Sequence, residues 1–152
     1  MRKRIIDPEF FLNGDIAKTD YKTRLLYIGL WTLADDYGVL ENDIEKIRIQ
    51  IFPYTRSSVK TNIDTLVRAK KLIPYTMDEK NYFWIKNFVK YQWFSHPKHK
   101  YPTTPEITGI IQKVLANRTE PNLTKHNYNG TPNDLKYYEQ KTKEFLEKQN
   151  GL

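Results

Sequence analysis

The stretch Leu26–Asn42, LYIGLWTLADDYGVLEN, runs from a dense apolar segment into two adjacent carboxylates and then Tyr37-Gly38. Upstream, Leu25, Leu26, Ile28, Gly29, Leu30, Trp31 and Leu33 cover most of a helical circumference, so a helix over residues 21–34 belongs at the centre of a core. Asp20 is placed to cap it and Gly38 to stop it. The piece GVLE, β-branched and bounded by turn residues, predicts one short strand. Asp35 and Asp36 therefore fall where a helix turns into a strand. Neighbouring side chains on a helix do not face each other, whereas an acid and a base must converge on one reacting atom. Short acidic side chains bind nearby backbone N–H groups in such turns, and the pair is read as structural. A Mg²⁺ site completed by Glu41, Asp43 and Glu45 is the competing reading. Those acids are explained more simply as charges at the start of the next helix.

Working outward, Asn42 or Asp43 caps a second helix through Ile51, with Ile44, Ile47, Ile51 and Phe52 on one face, and Pro53 ends it. After a turn at Pro53-Tyr54-Thr55, Thr55 or Ser57 caps a third helix over residues 58–70. Its Val59, Ile63, Leu66 and Val67 share an apolar side. Two β-rich runs, 72–77 and 82–88, flank the turn 78–81 and predict a hairpin. On the N-terminal side, Asp7 caps a short helix that opens on Pro8. The order helix, strand, helix, helix, hairpin is the layout of a winged helix-turn-helix: an α+β, mainly helical domain with a three-helix core and a β-hairpin wing, over residues 1–95. Residues 96–105, HPKHKYPTTP, read as an extended linker. Residues 106–152 read as a helical or partly disordered extension, in which Leu135, Tyr138, Phe145 and Leu146 have near-helical spacing.

The chain has 152 residues, 39% of them hydrophobic, and no cysteine, which excludes disulfides and thiolate metal sites and suits a reducing cytosol. No N-terminal apolar run has the length of a signal peptide or membrane span, so the expected location is cytoplasmic, without a membrane partner. The N-x-T triplets at Asn117, Asn122 and Asn129 then carry no glycan. His96 and His99 are separated by Pro97, and zinc would need two more ligands, so no metal is expected. Phosphate-binding glycine loops are absent, and neither a cofactor nor enzymatic activity is expected.

A formal charge of +7 favours a polyanionic partner, nucleic acid before an anionic membrane surface. Between Tyr54 and Lys71 stand Arg56, Lys60, Arg68, Lys70 and Lys71 against Asp64 alone. Lys86, Lys90, Lys98 and Lys100 form a second basic segment, and Arg2, Lys3 and Arg4 a third. On the third helix, Arg56, Ser57, Lys60, Thr61 and Arg68 make a polar, basic surface suited to a major groove. Lys80 and Asn81 at the hairpin tip, with Lys86, Lys90, Lys98 and Lys100, are placed for phosphates or an adjacent groove. Tyr91, Trp93 and Phe94 interleave with these lysines and are assigned mainly to packing.

The segments RIIDPEFF, RLLYIGLWTLADDYGVLE, IRIQIFPY, VKTNIDTLVRAKKLI and YFWIKNFVKYQWFSHPK resemble the N-terminal domain of phage replisome organisers and DnaD-like replication proteins, over about residues 4–98. The resemblance implies a winged-helix fold, association with DNA at a replication origin, contact with a replicative helicase or its loader, and self-association. It offers no catalytic residues. The expected function is double-stranded DNA binding in replication initiation. The alternatives are a winged-helix transcriptional regulator and a protein-interaction module for replication factors.

Overall fold

The computed structural model describes residues 1–117, together with Gln140, Lys143 and Glu147. The expected Leu135–Leu146 helix lies outside the described residues. In chain order the elements are a 3₁₀ turn (Pro8–Leu12), α1 (Gly14–Ala17), α2 (Tyr21–Leu33), β1 (Val39–Glu41), α3 (Ile44–Ile51), α4 (Lys60–Arg68), β2 (Leu72–Met77), β3 (Lys80–Ile85), α5 (Phe88–Tyr91) and α6 (Pro105–Ala116). The fold is α+β, with one three-stranded antiparallel sheet ordered β1-β3-β2. No described helix is long and apolar enough to cross a membrane.

Local chemistry accounts for most element starts. Asp7, Asp20 and Asp43 each accept a backbone N–H from the first turn they precede, from Glu9, Thr23 and Lys46 respectively. The Asp20 carboxyl is held below its ordinary range chiefly by the Thr23 N–H. Leu26 and Leu30 of α2 are fully buried, as are Val59 and Leu66 around α4, and Ile63 nearly so. Gly29 lets α3 approach α2: a Cβ there would lie 2.7 Å from Ile51. Gly38, at φ +84°, is the left-handed residue of the turn into β1, and a Cβ there would meet Phe88 at 2.5 Å.

Three boundaries differ from expectation. The third helix begins at Lys60 rather than residue 58, because neither Thr55 nor Ser57 caps it; the Ser58 hydroxyl instead accepts the Lys60 N–H. The hairpin turn contracts to two residues, Asp78 and Glu79, both left-handed at φ 50° and 59°, so β3 starts at Lys80. At its other end β3 stops at Ile85, since Asn87 is left-handed and Phe88 opens α5.

The segment 96–105 is not a free linker. The N–H groups of Lys98, Lys100 and Tyr101 bond to Asp36 and Asp35. Tyr75 Oη donates to the Pro102 carbonyl (2.7 Å), and the Tyr101 ring lies against Tyr82. Ile107 and Ile111 of α6 are buried in the core, and Met1–Asn117 form one unit. This strap explains why Tyr82, Phe83, Trp84 and Ile85 are all buried, where a sheet with one wet face would alternate. It also buries the Tyr75 phenol, pushing its pKa up.

Candidate nucleic-acid interface

The basic and polar residues singled out in the sequence fall into three places. The first is the outward side of α4 together with the connection that precedes it. Val59, Ile63 and Leu66 fix this helix to the core, and Lys60, Thr61 and Arg68 are left exposed. Arg56 and Ser57, in the connection that precedes it, are exposed as well. Charge on the helix is partly spent internally. Lys60 pairs with Asp64 one turn on (2.9 Å), and Arg68 donates to the Thr65 hydroxyl. Both carriers of that pair are well exposed, so the pair holds little stabilisation and yields to a competing anion.

The second place is the hairpin tip, where Lys80 and Asn81 are exposed and Asn81 Oδ1 accepts the Thr76 hydroxyl. The third lies at the opposite end of the hairpin, around the Asp35–Gly38 turn. The Ile85 N–H donates to the Gly38 carbonyl, which brings the next residue, Lys86, to this turn. Lys98 and Lys100 are fastened there through their backbones, and their side chains remain exposed. The Lys100 ammonium rests on the Tyr101 ring and hydroxyl. Lys90 is exposed on α5, over the Tyr91 ring. The sequence-derived set thus lies along the outward side of α4, at the hairpin tip and around one turn, with Lys90 on α5.

Two arginines leave the set of basic residues available to a partner. The Arg4 guanidinium has only 3% of its side chain exposed. It donates to the carbonyls of Trp31, Ala34 and Asp35 and to Asp36 Oδ1, and it lies over the Phe88 and Phe94 rings. Arg2 pairs with the same carboxylate oxygen of Asp36. Burial pulls the Arg4 pKa down, with Asp36 pushing back. Burial also acts to raise the Asp36 carboxyl, but the Lys98 N–H and the two guanidiniums outweigh it and hold that carboxyl low. The N-terminal basic cluster is therefore largely structural.

The acidic pair is a clasp. Asp35 Oδ1 accepts the N–H groups of Tyr37 and Val39, and Oδ2 those of Lys100 and Tyr101. Every bond of this 2%-exposed side chain is to a backbone amide, which supports the structural reading made from its position. The acids of the rival Mg²⁺ reading are dispersed: Glu41 pairs with Lys46, Glu45 with Arg48, and Asp43 caps α3.

No family model, curated protein or solved structure matches this chain. The site accordingly rests on its own geometry. That geometry adds one residue which the sequence reading passed over. Lys22, in the first turn of α2, reaches across to the Ser57 hydroxyl (3.0 Å) and toward the Ser58 carbonyl, and its ammonium lies 5.9 Å over the Phe52 ring. It adds a cation beside Arg56. Residues 22 and 57 are too far apart in the chain for spacing to reveal the pair. The only signal was a lysine two positions after a strong cap, on a helix otherwise read as core.

Proposed function

We propose that this chain is a non-enzymatic, winged-helix DNA-binding protein acting in replication initiation in a phage or other mobile element, alongside a replicative helicase or its loader. In this reading α3 and α4 are the helix-turn-helix pair, α2 completes the trio, and β2–β3 is the wing. The observation that carries it is the outward side of α4, where Lys60, Thr61 and Arg68 face solvent over a buried Val59, Ile63 and Leu66. Such a side enters the major groove of a duplex. Arg56, Ser57, Lys60 and Thr61 lie nearest the bases, with Lys22 and Arg68 on flanking phosphates. Lys80 and Asn81 meet the neighbouring groove or backbone, and Lys86, Lys98 and Lys100 supply diffuse positive potential. The replication role rests on the resemblance of residues 4–98 to replisome organisers.

The test is titration of the full chain with duplex DNA at two salt concentrations. Replacing Arg56 and Lys60 together with Ala should weaken binding about tenfold or more and flatten the slope of log K against log salt by roughly 1–2. Both side chains are exposed, so thermal stability should barely change. Unaltered affinity would move the DNA surface off α4. Footprinting then separates origin repeats from the single short palindrome of a transcriptional regulator.

A further inference from the structure

The two most exposed aromatic side chains in the described structure are Tyr54, fully exposed, and Tyr21, 86% exposed. They flank one junction. Lys22 bridges from the first turn of α2 to Ser57 and covers Phe52, so Tyr21, its chain neighbour, stands where α2 meets the α3–α4 connection. Tyr54 lies in that connection two residues beyond Phe52, and Arg56 follows it, also exposed. The nearby acids are engaged: Asp20 accepts the Thr23 N–H and hydroxyl, and Asp64 pairs with Lys60. The result is two projecting phenols among the cations Lys22 and Arg56, at the leading end of α4.

A duplex makes poor use of such rings. Its bases are stacked on one another and present only edges and phosphates to a protein, whereas an unpaired base offers a ring face. Aromatic rings interleaved with cations are what a single strand uses, bases stacking on the rings while phosphates meet the charges. We infer that the junction of α2 with the α3–α4 connection holds unpaired bases of a DNA strand, with Tyr54 as the principal stacking residue, Tyr21 as the second, and Lys22 on the intervening phosphates. The preferred ligand is then a duplex bordered by a melted segment. This rests on the reading that the leading end of α4 faces DNA, and it adds the strand state.

The experiment compares the full chain binding a forked duplex, with a short unpaired arm carrying 2-aminopurine, and a blunt duplex of the same paired sequence. The fork should bind more tightly, with the fluorophore quenched. Tyr54→Ala should lower fork affinity about tenfold, abolish the quench and leave blunt affinity unchanged, while Tyr54→Phe keeps the ring and the affinity. Since Tyr54 is fully exposed, the substitution should barely change stability. If fork affinity survives both Tyr54→Ala and Tyr21→Ala, the inference falls and the patch is left to a protein partner. If fork and blunt affinities fall together, the inference also falls and Tyr54 becomes a duplex contact. Both results leave the duplex-binding reading standing. Tyr54-dependent fork binding without any blunt binding would do the reverse, and failure to bind either DNA would end both.

Discussion

Asp35 shows how one side chain can hold several backbone segments. Its two oxygens accept four amide N–H groups, two from the turn into β1 and two from the strap at 100–101. Removing the carboxylate strands donors that are turned away from water, and each orphaned buried amide is costly. Asp35→Ala is therefore expected to destabilise the protein by about 3–5 kcal/mol, read as a lower urea midpoint. Asp35→Asn, which keeps one accepting oxygen and introduces a misplaced donor, should lose less. If Asp35→Ala left the midpoint within error of the parent, the clasp would contribute nothing to stability. The position of the two acids after a core helix was enough to assign them to a turn. Their partners were not legible, because Arg2, Arg4, Lys98 and Lys100 lie more than thirty residues away along the chain, and in sequence a buried arginine looks like any surface one.

At the level of elements, periodicity and capping carried well. α2, β1, α3 and β2 lie where apolar spacing, Asp20 and Asp43 put them. The misses have identifiable causes, one local and one distant. Asp78 and Glu79 both adopt φ > 0 without a glycine, so the usual sign of a two-residue hairpin turn is missing from the sequence. A non-glycine residue held left-handed is strained by about 1 kcal/mol, less for Asp than for Glu. Replacing the pair with Asn-Gly should relieve that strain and raise stability by about 1 kcal/mol, seen as a higher urea midpoint at unchanged slope. An unchanged or lower midpoint would mean that the side chains at 78 and 79 hold the turn by contacts of their own. Tyr82–Ile85 misled in the other direction: the run looks like a strand with one exposed face, yet a distant segment covers that face.

Across residues 1–117, exposed cations occur on α4, at the hairpin tip and around the Asp35–Gly38 turn, and also on other elements (Lys18, Lys46 and Lys113), while Asp35 and Asp36, the acids with the most partners, are turned inward. The overall charge pointed to a polyanion, but it could not say which cations are free: Arg4 is spent on the fold, and Lys22 joins the surface. Acid should loosen the protein through its carboxylates, since the lysines and arginines stay charged as pH falls. The Asp36 carboxyl sits below the ordinary value of 3.8, so its stabilising contribution is complete above that value and is lost as pH falls through its own lower one. In urea melts over a pH series, the parent should exceed Asp36→Asn by a constant margin from neutrality down to about pH 5, with the gap closing below pH 4. A gap that widened on acidification would reverse the assigned direction.

The clasp also bears on how the polypeptide acquires its shape during synthesis. Part of what satisfies Asp35 and Asp36, the amides of residues 98–101, lies some sixty positions further along the chain than the two acids. Until that strap is made, each acid has only its partners from residues 1–39 and one side of the sheet stays wet. Closure of this turn is therefore expected to follow synthesis of residues 98–101 rather than precede it.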